Sequence, residues 1–167
     1  MRFLGRAEAA RVVRKLERQS GKASPQITLF YTSGATDYWA AAGAIVGALG
    51  AFDQATLICT GLPWGDFWND DDKRWKSFYQ WRSALGATAR LHDTPGHEVD
   101  VHEIEPLRQT IAWALNLGWD AELFASRGRY RLRLSHDDWL DIFRVQNKRQ
   151  LKRKLQRLGF RVAGEGA

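Results

Sequence analysis

Residues 121–134 read Ala121-Glu122-Leu123-Phe124-Ala125-Ser126-Arg127-Gly128-Arg129-Tyr130-Arg131-Leu132-Arg133-Leu134. Two apolar-rich runs flank a short turn that contains a glycine, the pattern of a β-hairpin. Side chains alternate across a strand. Tyr130, Leu132 and Leu134 therefore share one face, and Arg129, Arg131 and Arg133 share the other. The prediction is that 121–125 pairs antiparallel with 129–134, with the apolar set buried and the arginines more exposed. A hairpin here argues against a sheet made only of parallel strands.

Upstream, the pattern changes to helix–strand alternation. Ala9, Val12, Val13 and Leu16 recur at helical spacing, so 6–19 reads as an amphipathic helix. Ile27 to Tyr31 reads as a strand. Thr36 is a candidate N-cap for an Ala-rich helix over about 36–50, apolar nearly all round and so expected to be buried on most sides. Ala55 to Cys59 is a second apolar strand. Strand, helix and strand in this order suggest a parallel βαβ unit. Residues 71–85 read as a helix, and 99–101 as a short strand. Pro106 suits the first turn of a helix that stops at Gly118. After the hairpin, Ser135 and Asp138 resemble a capping box. Asn147 is placed to cap a last helix over about 148–158, with Gly159 at its end. The expected fold class is α/β: a single domain over 1–167 with a mixed sheet. Its start is a parallel βαβ unit, its C-terminal part an antiparallel hairpin, and helices pack on it.

Charge is strongly segregated. Residues 2–22 are net +5, 23–143 net −6, and 144–161 net +8 with no acid, giving +6 once Glu165 is counted. Such polarisation attracts partners of opposite sign. In the last helix Leu151, Leu155 and Leu158 form a narrow apolar stripe. Lys148, Arg149, Lys152, Arg153, Lys154 and Arg157 occupy the rest. Solvated helices ordinarily mix signs to gain i,i+4 pairs, and this one has no acid to pair with. A polyanion would relieve the repulsion. The hairpin arginines, repeating every ~6.6 Å along one strand face, are a second candidate phosphate-binding row. Edge-strand protection is common, and three charges suffice for it, so it is the preferred account of these arginines. Aromatic interleaving is slight within that strand, because Tyr130 faces the other way.

An acidic–aromatic loop, 64–75, follows the second strand. Trp64, Asp66, Trp68, Asp70, Asp71 and Asp72 are its candidate protein-docking residues. With Asp37 after the first strand, Asp66 and Asp70 also resemble a carboxylate set for a hard cation, the requirement of metal-dependent phosphoryl transfer. Capping of the next helix by 70–72 accounts for the same run without any ligand. His92, Asp93, His97, Glu98, Asp100, His102 and Glu103 form a polar cluster. Its histidines lack the four-residue spacing of a helical zinc motif, and the expectation is an exposed connection whose histidines merely titrate.

Several signatures are missing: a G-x-x-x-x-G-K-[ST] loop, a G-x-S-x-G elbow and paired-cysteine zinc spacing. The single cysteine, Cys59, reads as a core residue and fits a reducing compartment. The longest apolar run, 39–52, is too short to cross a bilayer, and no apolar segment follows the basic start as a secretory signal would require. A cytoplasmic, non-enzymatic binding protein is therefore expected, with no cofactor and no catalytic residue assigned. Nucleic acid is the preferred partner. The alternatives are a protein-interaction module of inhibitor, immunity or adaptor type built on the acidic–aromatic loop, and a metal-dependent phosphoryl-transfer enzyme.

Overall fold

The computed structural model of the chain describes residues 1–20, 24–32, 36–62, 72–126 and 129–164. The described elements run β1 (Arg2–Leu4), α1 (Arg6–Ser20), β2 (Ile27–Phe30), α2 (Tyr38–Leu49), β3 (Gln54–Gly61), α3 (Lys73–Ala84) and β4 (Gly96–Asp100). They continue with α4 (Ile104–Asn116), β5 (Asp120–Ala125), β6 (Tyr130–Ser135), β7 (Trp139–Arg144), α5 (Lys148–Arg157) and β8 (Arg161–Val162). The strands form one sheet in the order β1-β4-β3-β5-β6-β7-β2-β8.

The hairpin forms as expected. Ala121 pairs with Leu134, Leu123 with Leu132 and Ala125 with Tyr130, all antiparallel. Tyr130, Leu132 and Leu134 are buried, while Arg129 is exposed and Arg131 and Arg133 are intermediate. The parallel start is corrected. Every neighbouring pair in the sheet is antiparallel. β2 and β3 do point the same way, but β5, β6 and β7 lie between them. The reason is local. Short turns fold β5–β6–β7 back on themselves as a meander, and this three-stranded block fills the gap that a simple βαβ unit would have closed. The predicted capping box at Ser135 is likewise a turn, with Asp138 at φ +60° leading straight into β7.

Two of the helix ends differ from the expected caps. Asp37, not Thr36, caps α2: its Oδ1 accepts from the Ala40 amide at 2.9 Å. Asn147 makes no side-chain cap bond to α5. Gly118 (φ +63°) and Gly159 (φ +90°) adopt the left-handed conformation that stops α4 and α5.

The sheet has two unequally covered faces. On one, Leu29, Leu57, Leu123, Leu132, Leu140 and Ile142 meet the helical layer of α2, α3, α4 and α5 in a single core. On the other, Ile58 and Leu4 meet Ala9, Val12 and Val13 of α1 in a small second core. This explains why β3 reads as an unbroken apolar run: Leu57 and Cys59 point to the helical layer and Ile58 to α1. No helix among the described residues is long and apolar enough to cross a membrane.

Candidate nucleic-acid interface

The face that carries α1 is the one with the charged and aromatic side chains. Alternation along the strands places Glu122 and Phe124 of β5 there, with Arg131 and Arg133 of β6 and Trp139, Asp141 and Phe143 of β7. Thr28 and Phe30 of β2 and Arg161 of β8 share the same side. α1 covers β1, β4 and β3 and reaches as far as Arg131, which its Glu17 contacts at 3.3 Å. Beyond that point, over β6, β7, β2 and β8, no described helix packs on the sheet.

The three hairpin arginines have separate roles. Arg131 is largely enclosed. It donates through Nε to Glu122 Oε2 at 2.9 Å and through Nη2 to Glu122 Oε1 at 3.2 Å, and its guanidinium lies 4.5 Å from the Phe143 ring centroid. Glu122 is buried, and burial pushes its pKa up while Arg131 opposes the shift. A two-pronged pair of this kind binds the hairpin rather than a partner. Arg133 is half-used: Nη2 donates to Asp141 Oδ2 at 2.8 Å, and Thr28 Oγ1 donates to the other carboxylate oxygen at 2.5 Å. Its guanidinium lies over Trp139, 4.8 Å from the ring centroid, and its side chain is 43% exposed. Arg129 is exposed at the strand's start, its guanidinium 5.7 Å from the Tyr130 ring centroid.

Neighbouring strands supply the aromatics that β6 itself lacks. Phe30 stands directly opposite Trp139 across β2 and β7, and Arg161 stands directly opposite Phe30 across β2 and β8. Phe30 is 41% exposed. The row therefore runs Arg161, Phe30, Trp139, with Arg133 over the last ring. Phe30, Trp139 and Arg161 were missed as site residues because each is unremarkable within its own strand. On the same side of the sheet α1 presents Arg11, Arg14, Lys15 and Arg18, all exposed, along a shallow basic groove of its own. None of the four pairs with an acid among the described residues.

The C-terminal basic helix lies elsewhere. Leu151 and Leu155 dock α5 into the main core on the helical side of the sheet, as the apolar stripe required. Arg149, Arg153, Lys154 and Arg157 are exposed, Lys148 and Lys152 partly so. α1 and α5 thus lie on opposite sides of the sheet.

The remaining candidates divide between helix caps and residues outside the description. Asp72 caps α3, accepting from the Arg74 amide at 2.8 Å and from its guanidinium at 2.7 Å, and Arg74 beside it lowers its pKa. Trp64, Asp66, Trp68, Asp70 and Asp71 lie outside the described residues. Of the suggested cation set only Asp37 is described, as the α2 cap, and no group of three or more metal-ligating side chains occurs among the described residues. The histidine cluster is corrected at its centre. His97 is fully buried between Phe3 and Trp119, with ring centroids at 5.6 and 6.1 Å. Neither ring nitrogen completes a hydrogen bond. Burial, and secondarily the charge of Arg82, hold its pKa down at about 3, against a weaker opposing pull from the backbone of Leu57 and Pro95. The fourth histidine, His136, has Nδ1 2.9 Å from Asp120 Oδ1 and Nε2 3.2 Å from Asp137 Oδ1, and Asp120 raises its pKa. Both ring nitrogens are occupied, so this group ties the β6–β7 turn to the start of β5.

No family model, curated protein or solved structure matches this chain.

Proposed function

We propose that the protein binds single-stranded nucleic acid on the helix-free part of its sheet, with bases stacking on Phe30 and Trp139. Phosphates are held by Arg133, Arg161 and Arg129 and by the cations of α1. The observation that carries this reading is the cross-strand pair of Phe30 and Trp139 flanked by Arg161 and Arg133. Aromatic rings accept any base by its π-face, and arginines beside them track the backbone. A flat sheet suits splayed, unpaired bases better than a duplex, whose bases are stacked inside. The net charge of +6 and the exposed basic ridge of α1 act in the same direction. The cations of α5, across the sheet, form a second and separate basic surface.

The test is fluorescence anisotropy with a labelled oligo-U or oligo-dT across a salt series. Wild type should bind with an affinity that falls as salt rises. The double variant Phe30→Ala/Trp139→Ala should lose roughly 1–3 kcal/mol per lost stack, with its salt slope little changed. A duplex of equal length should bind more weakly. Absence of saturable binding by wild type at micromolar protein and low salt would remove the proposal.

A further inference from the structure

On the helical side of the molecule, α2, α3 and α4 enclose a groove of about 280 Å³. Its walls are chiefly Tyr38, Trp39, Trp81, Trp113, Gln109 and Asn116. Four aromatic rings and two carboxamides converge there, on the opposite side of the sheet from Phe30 and Trp139. The volume stands just below the lower end of the ~300–1,000 Å³ range of small-molecule sites, so it admits one base-sized group and not an extended ligand.

One of the two carboxamides is held in place. Trp81 Nε1 donates to Gln109 Oε1, which fixes the Gln109 carboxamide and leaves its NH₂ as a donor. The Asn116 side chain makes no hydrogen bond with a described residue, although Arg74 Nη1 reaches its backbone oxygen at 3.4 Å. A carboxamide carries a donor and an acceptor side by side, the arrangement that reads the N6/N7 edge of adenine. At the rim, Arg108 lies 4.3 Å over the Trp39 ring centroid and donates through Nε to the Trp39 oxygen at 3.3 Å. Gly43 makes this possible: a Cβ there would come within 3.2 Å of Arg108 Nε. The only acid paired with Arg108 among the described residues is Glu105, at 4.0 Å and well exposed. The rim is therefore cationic and the walls are aromatic.

We propose that this groove binds a purine nucleotide. The base lies against the indoles with its edge on Asn116 and Gln109, and the phosphate meets Arg108. An aromatic cage for a quaternary ammonium fits less well, because the charged group stacked on Trp39 at the rim, Arg108, is positive. The site is independent of the nucleic-acid reading, since the two surfaces lie on opposite sides of the sheet.

Isothermal titration with AMP, adenosine and tetramethylammonium chloride tests it. AMP should bind saturably and adenosine more weakly, because it lacks the phosphate. Tetramethylammonium should give no saturable heat. Trp39→Ala removes an exposed ring without opening the core and should weaken AMP about tenfold or more. Asn116→Leu should also weaken AMP while the thermal melt shows the fold intact. Phe30→Ala/Trp139→Ala should leave AMP binding unchanged, so failure of the sheet-face proposal and failure of this one are read separately. The proposal is overturned by no saturable AMP binding at millimolar ligand, by binding that survives both groove variants, or by preference for tetramethylammonium.

Discussion

His97 shows how far one side chain's behaviour depends on its neighbours. In the chain it sits among six other polar residues and reads as solvent-exposed. In the fold it lies fully buried between Phe3 and Trp119, with both nitrogens unsatisfied. Its pKa is about 3 when folded and ~6.5 when unfolded. Between those values the unfolded chain holds one more proton than the native one. This contribution to stability is therefore full above about pH 6.5 and is lost progressively as pH drops toward about pH 3. Replacing His97 by Phe keeps the ring between Phe3 and Trp119 and removes the titration. We expect urea unfolding at pH 7.5, 5.5 and 4.5 to show the variant gaining on wild type at each step down. A difference that is the same at all three pH values would show that His97 binds as many protons folded as unfolded, so that burial does not lower its pKa.

The hairpin illustrates how an element reuses its own charges. Arg131 looks equivalent to Arg129 and Arg133 along β6, but β5 sets Glu122 within reach of it and α1 adds Glu17. Losing one member of an enclosed pair strands the other, at a typical cost of about 3–5 kcal/mol, whereas replacing both by apolar residues is often neutral. Arg131→Ala should therefore lower the urea midpoint strongly. Arg131→Met with Glu122→Leu should recover most of that loss, and Arg129→Ala should cost under about 0.5 kcal/mol. Equal effects of Arg129→Ala and Arg131→Ala on the midpoint would contradict this division of roles. The nucleic-acid titration supplies the converse measure, since Arg129→Ala should weaken binding while the Arg131→Met/Glu122→Leu protein, with its fold kept, should change it less.

Across the whole molecule the sheet is a wall between two basic surfaces. α1 and the row from Arg161 to Arg133 face one way, and α5 faces the other. A short oligonucleotide of about 8 nucleotides, within the usual site size of one binding module, would occupy only the first. The triple variant Lys148→Ala/Lys152→Ala/Arg153→Ala leaves Leu151 and Leu155 docked, so its fold should persist. It should bind the short oligonucleotide like wild type. On a strand several times longer, able to wrap an edge of the sheet, it should lose slope in log K against log salt, by about 0.7 per lost phosphate contact. If the triple variant already fails on the short strand, α5 and not the open sheet face is the primary site.

Much of the architecture was legible in the residue order because it rests on short-range rules. Period-two alternation around Arg127-Gly128 predicted the hairpin and its buried face. Helical spacing predicted α1 and α5 to within a residue or two, and Gly118 marked the end of α4. The α/β class and the basic ends were equally plain. Strand order was not, because pairing between distant strands depends on which edges remain free once the local meander has closed. That is why β2 lies beside β7 and not beside β3. The same long-range pairing decided the candidate interface. Phe30, Trp139 and Arg161 are 22 to 131 residues apart in the chain. Only the registers of β2 with β7 and β8 bring them into one row, while the intervening sheet puts the basic helices α1 and α5 on opposite sides.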